Sequence, residues 1–153
     1  MATDWEPDDM AKVAFHEAGH AVVAWLFGLP LKRIYLNLEK EGGGVVAATA
    51  RCLVQQIVCH YGGPVSEKMF GGPANQWTSR RALVDHAKVH GLLVENGTPE
   101  EEPEGQALQI RAYAWVEKLL LSHESRVRRV AKRLLQPPHK MNPARFKRLM
   151  REG

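Results

Sequence analysis

The feature that most constrains the fold is an apolar repeat near the start of the chain, between Pro7 and Phe27. Apolar side chains recur there every three or four residues, which is the spacing of one face of an α-helix. They are Met10, Val13, Ala14, Ala18, Ala21, Val22 and Trp25. Asp4 is placed to cap this helix, and Gly28 and Pro30 end it. Because an apolar face needs a partner, the pattern predicts a core packed around this helix.

The rest of the chain predicts further helices and one β-hairpin. Ile34–Leu38 alternates as a strand does, a turn follows at Glu41–Gly44, and Val45–Thr49 reads as the second strand. Later apolar repeats predict helices over 51–61, 64–70, 79–95, 107–122 and 124–136, and Asn142 caps a final short helix. The expected fold class is mainly α with a small β-hairpin.

Length and composition indicate one ordinary globular domain. The chain has 153 residues, of which 44% are hydrophobic and 25% charged. A chain of this size buries about two-thirds of its unfolded surface. We divide the domain into the first helix and hairpin (1–50), helices around a Gly-Gly turn (51–95), a flexible acidic loop (96–106) and C-terminal helices (107–153).

The sequence also excludes several classes of protein. No run of 18 apolar residues occurs, so no membrane span is expected. The acidic start argues against a signal peptide, and Cys52 and Cys59 make no disulfide framework, so a cytoplasmic location is expected. The tail from Ser122 to Gly153 carries ten Lys or Arg against two Glu. We interpret it as a solvated face with no specific nucleic-acid partner; salt-sensitive binding would indicate the opposite.

The segment His16-Glu-Ala-Gly-His20 lies inside the first predicted helix and carries the candidate chemistry. Residues four apart share a helix face, so both imidazoles point the same way and can bind one Zn²⁺. Glu17 is placed to take a proton from a water at the metal and pass it to a leaving amine. Gly19 is costly inside a helix and indicates that another element packs closely there. The motif therefore predicts a zinc peptidase site.

A catalytic zinc site has a third protein ligand, and the sequence leaves several candidates for it. Asp85 is the only aspartate beyond the first nine residues. An ion pair with Arg81, one turn earlier, is the alternative role for this carboxylate. Glu67, His86 and His90 are rival ligands. The two histidines are spaced by four residues, but no Glu follows His86, so they lack a general base.

Three segments resemble a known family. Ala14–Ala24, AFHEAGHAVVA, resembles the zinc-site helix of the FtsH-type metallopeptidases, which are membrane-anchored AAA proteases. Leu53–Glu67 is similar to the helix and Gly-Gly turn that follow in that family, and Arg111–Leu135 is similar to its C-terminal helix pair. The resemblance covers nearly the whole chain. It implies a single-domain, helical, zincin-like metallopeptidase of the FtsH peptidase type.

The resemblance implies roles at matching positions. His16 and His20 match zinc ligands, and Glu17 matches the catalytic acid/base. Glu67 matches a carboxylate that supports a ligand histidine, which fixes the orientation of the ring. Asp85 is the best match for the third ligand, although residues 80–84 differ from the small, polar run of the family.

The predicted hairpin has a functional interpretation as well. In peptidases of this type an edge strand receives the substrate as an added strand over the zinc. Val45, Val46 and Ala47 are the candidate substrate-binding residues. A hairpin that only covers the core is the alternative.

We predict a zinc-dependent endopeptidase that cleaves peptides, unfolded segments or exposed loops. No G-x-x-x-x-G-K-[ST] phosphate loop occurs in the chain, so the expected activity is independent of ATP in itself. A partner ATPase or a homo-oligomer is a further option. The alternative function is a catalytically inactive, peptidase-like module that binds or regulates. Dependence of cleavage on Glu17 discriminates between the two.

Overall fold

The computed structural model describes residues 7–37, 39, 42–71 and 80–152. This part of the chain is mainly helical, with a three-stranded antiparallel sheet, which confirms the predicted fold class. The elements in chain order are α1 (Pro7–Leu26), β1 (Leu31–Asn37), β2 (Gly42–Ala47), α2 (Leu53–Phe70), α3 (Arg80–Glu95), α4 (Pro103–Ser122), α5 (Glu124–Leu134), β3 (Lys140–Met141) and α6 (Pro143–Arg151).

Helix α1 lies at the centre of the fold. It packs against α2 on one side and against α5 and the hairpin strands on others. The side chains of Val13, Ala18 and Val22, which the apolar repeat placed on one face, are buried. The hydroxyl of Ser66 in α2 also donates a hydrogen bond of 2.6 Å to the carbonyl of Phe15. The predicted core around α1 is therefore confirmed.

The sheet has the order β2-β1-β3, with β2 at one edge. Both hairpin strands begin earlier than predicted, and Gly42–Gly44, which we assigned to the turn, belongs to β2. These glycines pair with the end of β1, Gly44 opposite Tyr35. A Cβ on Gly44 would lie 2.7 Å from the Tyr35 hydroxyl, so only glycine leaves room for that ring. The predicted end of the first strand, Leu38, lies outside the described residues.

Two elements differ from the sequence prediction. The helices predicted over 51–61 and 64–70 are one continuous helix, α2, with Pro64 inside it. Gly62 and Gly63 do not end the helix because they lie against α1, where a Cβ on Gly62 would be 3.0 Å from the Gly19 carbonyl. Strand β3 was not predicted, since two residues give no periodicity; it joins the sheet through Met141 opposite Ile34.

The C-terminal helices follow the prediction closely. Helix α4 begins one turn earlier than expected, at Pro103, a residue that suits the first turn of a helix. The Asn142 side chain accepts a hydrogen bond of 2.9 Å from the Arg145 amide, as predicted for the cap of the last helix. Within the described ranges, the helices are too short or too polar to span a lipid bilayer.

Candidate metal centre

The two histidines of α1 face each other on one side of the helix. The ring centroids of His16 and His20 are 4.8 Å apart, and their Nε2 atoms are 3.2 Å apart. His16 is buried, whereas His20 is partly exposed to a cleft. The spacing of four residues therefore does what the sequence predicted, because it brings the two nitrogens to one point.

Asp85 reaches the same point from α3. Its Oδ2 lies 2.8 Å from His16 Nε2 and 3.1 Å from His20 Nε2. Asp85 is in the second turn of α3 and is 5% exposed. Of the candidates for a third ligand, Asp85 is the one whose carboxylate the structure brings to the histidine pair. It does not pair with Arg81 as the alternative proposed.

The opposite sides of the two rings are held by hydrogen bonds. His20 Nδ1 donates to the carbonyl of Cys59 at 2.9 Å, and His16 Nδ1 donates to Glu67 Oε1 at 3.0 Å. Because a carbonyl only accepts, the hydrogen of neutral His20 resides on Nδ1 and leaves a lone pair on Nε2. The same reasoning applies to His16 beside a carboxylate. Two lone pairs and a carboxylate oxygen thus converge on one point.

This donor set fits a metal ion. Ligand atoms about 2.0–2.1 Å from a tetrahedral ion lie roughly 3.3 Å from one another. The three separations among His16, His20 and Asp85 range from 2.8 to 3.2 Å, close to that spacing. With neutral imidazoles the three acceptors repel one another, and a cation between them removes the repulsion. These three side chains could therefore hold a metal ion together.

The electrostatics of the site also favour a positive charge. Burial alone would lower the pKa of His16, but hydrogen bonds to Asp85 and Glu67 raise it to about 9. Burial would raise the pKa of Asp85, but His20 and His16 hold it well below its usual range. Either a proton on His16 or a metal cation supplies this positive charge, and the two compete for the Nε2 atom of His16.

Glu67 does not point to the shared centre, and it acts on the other side of His16. Its side chain is fully buried, and it forms an ion pair with Arg81, whose Nη2 lies 3.0 Å from Oε2. Although burial would raise the pKa of Glu67, His16 and Arg81 lower it. Glu67 thus orients the His16 ring, which is the position that the family resemblance implied for it.

The contact of Arg81 with Glu67 was not predicted from the sequence, where Arg81 was only a possible partner of Asp85. The Arg81 guanidinium contacts both carboxylate oxygens of Glu67, with Nε 3.4 Å from Oε1. Arg81 and Asp85 lie one turn apart on α3, so the same turn of helix brings a carboxylate to the histidine pair and a cation to Glu67. Two features of the sequence could have indicated this contact. Arg81 lies one turn before Asp85, and Glu67 would need a cationic partner if it were buried.

Glycines bring the backbones close around the two histidines. A Cβ on Gly19 would overlap the Gly62 carbonyl, and one on Gly63 would overlap His20 Nε2 and lie 2.6 Å from His16 Nε2. The close packing inferred from Gly19 is therefore correct, and α2 is the element that packs there.

Glu17 lines the same cleft and is 5% exposed. A Cβ on Gly43 of β2 would lie 3.2 Å from Glu17 Oε2, so the glycine strand lies directly against this carboxylate. Burial raises the pKa of Glu17, and His16 and His20 oppose that shift. A carboxyl group with a raised pKa holds a proton more readily than an ordinary glutamate, which suits a group that accepts and returns one.

The cleft has a volume of about 530 Å³ and is bordered by β2. Val45 and Ala47 line it, but Val46 does not, since alternate residues of a strand point to opposite faces. Of the three candidate substrate-binding residues, two thus face the cleft. Strand β2 is an edge strand of the described sheet, so no described strand pairs with its outer hydrogen-bonding groups.

The rival histidines lie elsewhere in the described structure. The His86 ring packs against the Tyr61 ring at 5.5 Å. His90 Nδ1 lies 3.4 Å from Glu100 Oε1 on the surface. His60, for which the sequence predicts no role, lines the cleft, and burial lowers its pKa.

One comparison with known proteins bears on this site. The sequence model of a family described as Peptidase M50B-like matches residues 2–83, which is more than half of the chain. The matched range includes both histidines of α1, Glu17 and Glu67, and it ends before Asp85. It supports a metallopeptidase domain but not specifically the FtsH type, because M50 is a different family. A search of curated proteins finds no match.

Proposed function

The chain belongs to the Peptidase M50B-like family, and we propose that it is a zinc-dependent endopeptidase that cleaves unfolded or flexible polypeptides. The observation that carries the proposal is the convergence of His16 Nε2, His20 Nε2 and Asp85 Oδ2 beside a buried glutamate. Two imidazoles and one carboxylate are a ligand set typical of catalytic zinc sites, which keep a fourth position for water or substrate.

We also propose the more specific assignment, that the peptidase domain is of the FtsH type. It is supported by the position of Glu67 behind His16 and by the position of Asp85 beside both histidines. These are the roles that the resemblance implied for the two carboxylates.

The proposed reaction assigns a task to each residue of the cleft. His16, His20 and Asp85 hold the metal, and the chemistry that zinc supplies is Lewis acidity, which activates water and polarises a carbonyl. Glu17 accepts a proton from the attacking water and donates it to the amine that leaves when the peptide bond breaks. Glu67 and the Cys59 carbonyl keep the two imidazoles in the tautomer that ligation needs.

The substrate class follows from the edge strand. A polypeptide that adds to β2 as an extended strand satisfies the unpaired backbone groups of that strand. Such pairing requires about five residues of extended chain, so folded substrates must present a loop or an unfolded segment. Val45 and Ala47 face the cleft and contact the side chains of the added strand. We therefore propose peptides and unfolded segments as substrates.

The experiment combines zinc analysis with a cleavage assay. We expect the purified chain to bind one zinc and to cleave unfolded casein. Glu17→Gln is expected to keep the zinc and to lose cleavage by about 10²–10⁴-fold, since it removes the proton carrier and leaves the ligands in place. Glu117→Gln on α4, an exposed position, is the matched control and is expected to retain activity.

Two results would contradict the proposal. Zinc binding without Glu17-dependent cleavage would assign the chain to inactive, peptidase-like modules. Cleavage that persists in zinc-free protein would exclude the metal mechanism.

A further inference from the structure

A second cavity lies on the outer face of the sheet, away from the metal centre. Its volume is about 840 Å³, and it is formed by β1, β3 and the neighbouring ends of α5 and α6. We call it the basic cavity; the residues that define it are Lys32, Arg33, Tyr35, Arg133, Lys140 and Arg145. The basic cavity and the metal cleft share no lining residue. A ligand of the basic cavity is therefore independent of the proposed peptidase function.

The sheet directs three of the cations to one face. An irregularity in the pairing between Leu31 and Arg33 leaves both Lys32 and Arg33 exposed, although adjacent strand residues ordinarily point to opposite faces. Lys140 of β3 lies opposite Tyr35 in the strand register and so shares its face. The Arg33 guanidinium lies 5.0 Å from the centroid of the Tyr35 ring.

The helices contribute the remaining cations. Arg133 is in the last turn of α5 and donates one hydrogen bond of 3.1 Å to the Gln136 carbonyl. Arg145 is in the first turn of α6, where the helix dipole adds positive potential. Five cationic side chains from four elements therefore surround one cavity.

The cavity is built into the fold. His139, between Arg133 and Lys140, donates its backbone N–H to the Gln136 carbonyl and accepts from the Leu36 N–H, both at 2.8 Å. Its Nδ1 donates to the Leu134 carbonyl at 2.9 Å. Three hydrogen bonds thus fix the segment that joins the helical and strand sides. A ligand would meet a preformed wall, which lowers the entropy cost of binding.

The charges of the basic cavity are not balanced within the described part of the chain. Glu39 is the only carboxylate among the described lining residues, and it is exposed. None of the five cations makes an ion pair with a described carboxylate. Five positive charges and one negative charge leave an excess of four. Such an excess in a concave site attracts anions.

We propose that the basic cavity binds a ligand that carries two phosphate groups. Each phosphate group brings a charge of about −1.5 to −2, so two of them together carry about −3 to −4, which is close to the excess of four. Three guanidinium groups offer the paired donors that phosphate oxygens accept. An acidic peptide would need about four separate carboxylates in the same space to reach that charge. The volume lies within the range of roughly 300–1,000 Å³ that is typical of small-ligand sites.

The test is calorimetric titration of the full chain with inorganic pyrophosphate, ADP and a short oligo(dT) at about 50 mM salt. We expect binding of pyrophosphate that weakens at least about tenfold in Arg133→Gln/Arg145→Gln, because two of three guanidinium groups are removed. The control variant, Arg111→Gln/Lys118→Gln, removes two exposed cations of α4 and is expected to bind normally.

Two further variants and a comparison of ligands complete the test. If Arg133→Gln/Arg145→Gln does not fold, as judged by circular dichroism, Lys32→Gln/Lys140→Gln replaces it with two exposed side chains. His16→Ala is expected to bind pyrophosphate normally, which excludes phosphate bound through the metal centre. Tighter binding of ADP than of oligo(dT) indicates a free nucleotide, and the reverse indicates a nucleic-acid backbone.

Several results would overturn the proposal. They are no binding of any phosphate probe, equal loss in the α4 control, and tighter binding of a poly-glutamate peptide than of pyrophosphate. The last result would assign the basic cavity to an acidic protein partner instead.

Discussion

The candidate metal centre and the basic cavity differ in how their charged side chains are paired. At the metal centre the carboxylates are paired: Asp85 contacts both imidazoles, and Glu67 lies between His16 and Arg81. In the basic cavity five cations lie around open space with a single exposed carboxylate among the described lining residues. Paired and buried groups define one point for a small cation. Cations that make no ion pair with a described carboxylate, four of the five exposed, define a wider region that attracts an anion. The charged side chains are therefore held more firmly at the first site than at the second, where hydrogen bonds fix the backbone wall at His139 but not the ends of the cationic side chains.

The largest expected effect comes from removing a proposed zinc ligand. Asp85→Ala is expected to weaken zinc binding by more than about 100-fold, beyond the 10–100-fold typical of a residue that only supports a ligand. Competition with a zinc-sensitive dye measures the affinity. Glu117→Ala, an exposed carboxylate on α4, is the control. Unchanged zinc affinity in Asp85→Ala would show that another group completes the site. It would also remove the clearest difference between the candidate metal centre and the basic cavity.

Removal of the supporting carboxylate is expected to have the next largest effect. Glu67→Gln keeps a hydrogen-bond acceptor for His16 but removes the charge that stabilises the ring. We expect zinc affinity to fall by about 10–100-fold. The same competition assay measures it, with Glu117→Gln, at an exposed position of α4, as control. A loss as large as that of Asp85→Ala would indicate that Glu67 is itself a ligand.

An arginine-to-glutamine substitution in each region compares how much the two arginines contribute to the free energy of unfolding. Arg81→Gln leaves the buried Glu67 carboxylate without its cation and is expected to lower the free energy of unfolding by about 1–3 kcal/mol. Arg145→Gln removes an exposed cation from the basic cavity and is expected to change it by no more than about 0.5 kcal/mol. Urea unfolding of the zinc-free variants gives both values. Equal losses would show that the two sites are equally preorganised.

The smallest expected effect is that of salt concentration on the two binding affinities. Exposed charges are screened by salt, while groups in direct contact in a buried site are screened much less. A rise from about 50 to about 200 mM salt is expected to weaken pyrophosphate binding severalfold and to change zinc affinity by less than about twofold. Potassium chloride and potassium acetate are compared, so that competition by a particular anion is recognised. Equal sensitivity of both affinities would remove the distinction.

Much of the fold could be predicted from the sequence because the signals were local. The apolar repeat of α1, the capping residue Asn142 and the alternation in the hairpin each act over a few residues. The errors arose where distant contacts override a local preference. Gly62, Gly63 and Pro64 read as the end of a helix, but α2 continues through them because small residues let it pack closely on α1. Strand β3 exists because β1 offers it an edge.

The sequence by itself determined that His16, Glu17 and His20 share one helix, because a spacing of four residues fixes a common face for the two histidines wherever the helix lies. It named Asp85 and Glu67 as candidates but left their positions open. Only the tertiary structure decided that Asp85 completes the group, that Glu67 lies behind His16 and that Arg81 holds Glu67. It also decided that cations far apart in the chain surround one cavity. The physical reason is the sequence distance over which each interaction acts. Periodicity determines which way side chains point within one helix or strand, whereas contacts between elements depend on how their apolar faces pack.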